Sequence, residues 1–171
     1  TTLVSYNTSI NTPVVMEGHY CVIDLSDGPN AVQWPVSYFS GVVPVGGWTD
    51  EYRTTKLVLR RIEAETFIVG GDQSDESNRV TLTKPFYIGV FEVTQRQWEL
   101  VMGSSQSWTY RRGDAYPATV SYNDIRGSLL GAQWPASSAV DASSFLGKLR
   151  AKTGLDFDLP TEAQWEYSCR A

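Results

Sequence analysis

The sequence ends Asp158-Leu-Pro-Thr-Glu-Ala-Gln-Trp-Glu-Tyr-Ser-Cys-Arg-Ala171, and this stretch decides how the rest is read. Pro160, Thr161 and Gln164 write a complete helix start. The Thr161 hydroxyl suits the N-cap, and Gln164, three residues on, suits the reciprocal bond to the cap's own N–H. Trp165, Ser168 and Cys169 share one face of that helix, read as its buried face. Glu162 and Glu166 are four apart and are read as helix-supporting acids rather than a metal or acid–base pair. A helix start this close to the last residue gives the expectation of the front part of a larger domain. Thr1, which is not an initiator Met, gives the expectation that sequence precedes it.

Outward from that helix, the same grammar recurs. Thr94-Gln-Arg-Gln97 is a second capping box, Trp98, Val101 and Met102 form the apolar stripe behind it, and Gly103 ends the helix. Ser138 with Asp141 reads as a third box, followed by Ala142, Phe145, Leu146 and Leu149 at helical spacing and by Gly154 as cap. Asp156 to Leu159 reads as a short extended link. Lys56–Ile62 and Glu65–Val69 are β-rich runs expected to pair as a hairpin, and Arg79–Thr83 and Phe86–Val93 are further strands. Residues 104 to 137 are read as mostly loop, longer than a tidy domain needs.

Residues 1–55 differ from the rest, being rich in Val, Tyr, Pro and Gly with few basic residues. Val14–Met16, Tyr20–Leu25 and Val36–Phe39 read as strands around a Ser26–Asn30 turn. The region is expected to be a β-rich N-terminal extension or upstream module, with 56–171 the main domain. The fold class is therefore α+β, loop-rich, with two or three short helices.

Bulk numbers narrow the function. The chain has 171 residues, 42% hydrophobic, and a net charge of −5. That is ample for one core, and the acidic balance argues against nucleic acid as a partner. No apolar run reaches the ~20 residues of a membrane span. His19 is the only histidine, Cys21 and Cys169 are the only cysteines, and no metal-type Cys/His cluster is present. The two cysteines are read as separate thiols, with pairing left open. Asp72, Asp75 and Glu76 lack the spacing of a calcium loop and are read as solvated acids.

Four ordered stretches resemble one family. Phe67-Ile-Val-Gly70 resembles its Phe-x-Met-Gly opening, and Phe86 to Thr94 its strand ending in Glu-Val-Thr, with Trp98 in the helix that follows. Pro117 to Asp124 resembles Pro-Val-x-x-Val-Ser-Trp-x-Asp. Leu159 to Tyr167 resembles Leu-Pro-Thr-Glu-Ala-Glu-Trp-Glu. The chain is identified by these as similar to the formylglycine-generating enzyme, or sulfatase-modifying-factor, family over roughly 57 to 171. The resemblance implies a C-type-lectin-like fold. It also implies that Glu92, Thr94, Trp98, Pro160, Thr161, Glu162 and Trp165 are family-signature residues with structural roles.

The prototype oxidises a cysteine in a Cys-x-Pro-x-Arg segment of a sulfatase to formylglycine, using oxygen and copper held by two cysteines, and carries calcium. Other relatives are non-catalytic binding modules. In catalytic members the active-site cysteines and calcium ligands follow the Leu-Pro-Thr-Glu helix, so no residue here is assigned to catalysis, cofactor or metal. Calcium or copper is expected only through ligands on further sequence. Departures are Asp158 for the family's Arg, Val69 for Met and Tyr122 for Trp.

Trp108, Tyr110, Arg111, Arg112 and Trp134 form the candidate ligand-facing loop, because aromatics and arginines dominate binding surfaces. The expectation is a non-catalytic or incomplete domain serving as a recognition or structural scaffold in a larger extracytoplasmic protein. Its expected partners are a protein or glycan ligand and a second chain or C-terminal segment that completes the domain. The alternative is the front part of a true oxidase.

Overall fold

Lys56–Ile62 (β4) places Leu57 and Leu59 on one face and Val58 and Ile62 on the other, and all four are buried. A strand apolar on both faces belongs at the centre of a sheet covered on both sides. The computed structural model places it there. It describes residues 2–6, 18–41, 43–44, 46–70, 78–106, 108 and 111–171. The expected strand at Val14–Met16 and the acidic run Asp72, Asp75 and Glu76 lie outside the described residues.

The strands are β1 (Val4–Tyr6), β2 (Tyr20–Asp24), β3 (Val36–Phe39), β4, β5 (Thr66–Ile68), β6 (Arg79–Thr81), β7 (Phe86–Gly89) and β8 (Asp156–Asp158). Six of them form an antiparallel sheet in the order β3-β2-β4-β7-β1-β8, and β5 and β6 form a separate ribbon. Strands from both sides of residue 55 thus interleave in one sheet. β2 pairs along the whole of its length with β4, from Tyr20 opposite Arg60 to Asp24 opposite Lys56. β1 lies between β7 and β8, with Val4 opposite Ile88 on one side and Asp158 on the other.

Four helices complete the fold: α1 (Gln95–Met102), α2 (Tyr122–Arg126), α3 (Phe145–Thr153) and α4 (Glu162–Arg170). One sheet face, carrying Cys21, Ile23, Leu57, Leu59, Tyr87 and Phe157, joins α1 and α3 in the main core. Its centre is Trp98 of α1, stacked on Phe145 of α3 at 4.8 Å and 4°. On the other face, Tyr167 of α4 packs against Val4, Ile62, Phe86 and Ile88. Beside that cluster, Trp48, Tyr52, Phe39 and Phe91 cover Tyr20, Val22 and Val58. Thr94 and Thr161 cap α1 and α4 in full capping boxes, and Gly103 closes α1 in the left-handed region at φ 83°.

Four expectations are corrected. The 56–62 and 65–69 runs do not form a hairpin, because β4 is taken on both sides by β2 and β7 and β5 turns away to pair with β6. Asp156–Leu159 is extended, as expected, but is more than a link: Asp156–Asp158 is the edge strand β8, with Phe157 fully buried. The helix expected from Ser138 begins at Phe145 with Ser144 as its cap. Asp141 is instead spent on the preceding loop, where its carboxylate accepts the N–H groups of Leu129 and Leu130 at 3.0 and 2.7 Å. The loop packs so tightly there that a Cβ on Gly147 would lie 2.1 Å from the Asp141 carbonyl oxygen. Finally, Trp165 and Cys169 are exposed, not buried, because α4 turns Tyr167 toward the sheet.

Candidate functional site

The first turn of α1 is tied to everything around it by glutamines. Gln97 Oε1 accepts the Thr94 N–H, while its Nε2 donates to the carbonyls of Lys56 and Tyr52. Gln95, also buried, donates from Nε2 to the Arg111 carbonyl at 2.7 Å and accepts the Gly113 N–H at Oε1. Backbone bonds from Gln95 N–H to the Tyr116 carbonyl and from Arg96 N–H to the Asp114 carbonyl reinforce the attachment. Residues 111–117 are thereby held against the helix by its own first turn. A buried amide with both ends satisfied holds its neighbours in a single arrangement.

Between that loop and the outer side of α1 lies an open cleft of about 360 Å³, lined by Gln95, Glu99, Ser105, Gln106, Trp108, Arg112, Gly113 and Asp114. Trp108 belongs to the main core and shows only its rim. Arg112 and Asp114 are exposed, and neither side chain has a hydrogen-bond or ion-pair partner among the described residues. Glu99 reaches Arg96 only at 3.6 Å.

Of the five residues singled out in the sequence, Trp108 and Arg112 meet at this cleft. Arg111 stands next to it, with its guanidinium over the Tyr116 ring at 5.8 Å. Tyr110 lies outside the described residues. Trp134 is not among the residues that line the cleft. Its ring lies 5.0 Å from the Arg126 guanidinium.

Arg126 is the group that sequence reasoning missed. It is fully buried and grips Asp158 with two bonds of 2.8 and 3.1 Å. Its remaining donors go to the Gly131, Ser137 and Ala139 carbonyls and the Tyr122 hydroxyl. Arg150 adds a third bond to Asp158 at 3.1 Å. Burial alone would lower the Arg126 pKa, but its bonds to Asp158 and Tyr122 outweigh it, and the net shift is upward. Arg126 is thus the anchor of the 127–140 loop, and Asp158, where the resembled family has Arg, neutralises it. The one available signal was that charge reversal; the partner, 32 residues away, has no sequence mark.

The signature positions are occupied with structure. Thr94 and Thr161 cap helices, and Trp98 is the core stack. Glu162 and Trp165 are exposed on α4, Pro160 is half-buried before it, and Glu92 is exposed ahead of α1. Glu166 accepts the Gly70 N–H at 2.9 Å and pairs with Arg170, so it is not part of an acid pair with Glu162.

The thiols are separate. Cys21 is buried, beside Tyr38, and burial pushes its pKa up to about 12. Cys169 is exposed on α4, which packs on the opposite face of the sheet from Cys21. A copper site of two cysteines needs adjacent thiolates, so these two residues do not fit one. Among the described residues no group of three His, Cys, Asp or Glu is placed to hold a metal. Among the same residues no helix is long and apolar enough to cross a membrane.

A family profile, the sulfatase-modifying factor enzyme 1-like domain, matches residues 49–171. The chain belongs to this family. No curated protein and no solved structure matched it. Both the cleft and the Arg126 anchor fall inside the matched region of this sulfatase-modifying-factor domain.

Proposed function

We propose that this chain is a recognition and structural scaffold of the sulfatase-modifying-factor family, a C-type-lectin-like variant that is non-catalytic or incomplete by itself and works within a larger, extracytoplasmic protein. One observation carries the reading. The family-signature side chains with visible roles are taken up by capping and packing, whereas unpartnered charge gathers at a preformed cleft beside Trp108. Free polar groups around a small aromatic surface, on a loop fixed from behind, are what a ligand site requires. Trp165, 54% exposed on α4, supports a further segment or second chain that completes the domain. Calcium or copper enters this reading only through ligands outside these 171 residues.

The second reading, the front part of a formylglycine-generating oxidase, is favoured by family membership itself. One assay separates the two. The full-length protein, loaded with copper, is incubated with a Cys-x-Pro-x-Arg peptide while oxygen uptake and peptide mass are followed. The scaffold reading expects uptake at the blank level and an unchanged peptide. Oxygen uptake with conversion of the peptide cysteine to an aldehyde overturns it.

A further inference from the structure

The cleft beside α1 carries charges of both signs. Arg112 supplies a cation, Asp114 and Glu99 supply carboxylates, and Gln106 adds an amide. A ligand with net charge of either sign meets a like charge on this lining. A neutral ligand rich in hydroxyls meets none. Each hydroxyl both donates and accepts, so it gives its proton to a carboxylate and takes a bond from a guanidinium or amide. Trp108, buried in the main core, adds only a small exposed surface to the lining. At about 360 Å³ the cleft is at the lower end of the ~300–1,000 Å³ range of small-molecule sites. Gln95, itself part of the lining, holds residues 111 and 113, so that side of the cleft is fixed before a ligand arrives.

We propose that this cleft binds a neutral saccharide, with Asp114 and Glu99 accepting from ring hydroxyls and Arg112 donating to them. The proposal rests on the reading of the chain as a recognition module and names the ligand class of that site.

The test is ligand-observed NMR on the full-length protein. One probe set is glucose, galactose, mannose, N-acetylglucosamine and their disaccharides; a second is the zwitterions glycine and arginine. The expected result is saturation transfer to at least one neutral sugar and none to the zwitterions. Asp114→Ala and Arg112→Ala should each weaken the sugar by about ten-fold or more, the worth of one bond to a charged group. Both side chains are exposed and without described partners, so the thermal midpoint should stay unchanged and serves as the folding control. Binding of zwitterions without sugars, no binding by either set, or sugar binding indifferent to both substitutions overturns the proposal. None of these outcomes touches the scaffold reading, which falls only to peptide oxidation.

Discussion

The segment before Thr49 lies outside the family match yet supplies β1, β2 and β3, half of the main sheet; the segment from Thr49 on carries the match, all four helices and β4, β7 and β8. The two halves are not stacked but interdigitated. β2 holds one side of β4, and β1 joins β7 to β8. Further contacts cross the boundary. The Trp34 N–H donates to the Lys152 carbonyl, and the Lys152 ammonium lies over the Trp34 ring at 4.6 Å. The difference teaches that the limits of a recognisable family pattern and of a folding unit are set by different physics. Caps and signature turns demand particular side chains. A sheet strand demands only alternating apolar residues that fit its neighbours.

The strongest way to break the comparison is to delete residues 1–48. The truncated chain is expected to lose its cooperative thermal transition altogether, followed by circular dichroism; a cooperative melt at the parent midpoint would show that the family-matched part folds alone. Next in size is Asp158→Ala, which leaves Arg126 buried and uncompensated. The expected cost is about 3–5 kcal/mol, by urea titration. Pairing Arg126→Met with Asp158→Leu should recover much of it, and no recovery would mean that the carbonyl bonds of Arg126, rather than its charge pair, hold the loop. Thr161→Ala removes one cap bond and should cost about 1 kcal/mol in the same titration.

The mildest probe perturbs nothing. Cys169 is exposed and should alkylate at once at pH 8, whereas Cys21, buried in β2, should react only as fast as the protein unfolds. Faster labelling of Cys21 would show that the N-terminal strands open independently. Because burial raises the Cys21 pKa from 9.0 to about 12, its neutral form is the folded one. Its contribution is whole below about 9 and is lost progressively as the pH rises toward about 12. Cys21→Ser should flatten that alkaline decline.

Local features were legible in the sequence and long-range ones were not. The Thr94 and Thr161 boxes, the Trp98 stripe and the strands at 20–25 and 36–39 follow from residue types a few positions apart, and all stand in the structure. The false hairpin shows the limit: both runs have strand character, but periodicity does not name a partner. Asp141 satisfied the spacing of a capping box with Ser138, but two unbonded N–H groups of the 127–130 turn claimed it instead. At the cleft, Trp108 and Arg112 were visible as residue types, while Gln95, Glu99 and Asp114 looked like ordinary helix and loop polarity until the fold set them around one space.

The position of β1 has a consequence for the birth of the molecule. Val4 is synthesised well before its two strand partners, Ile88 and Asp158. At the usual ~5–20 residues per second, on the order of ten seconds pass between the synthesis of Val4 and that of its last neighbour. β7 is made part-way through that interval and β8 only at its end. The order of translation, and not only the final packing, therefore leaves one side of β1 unpaired until β8 is made.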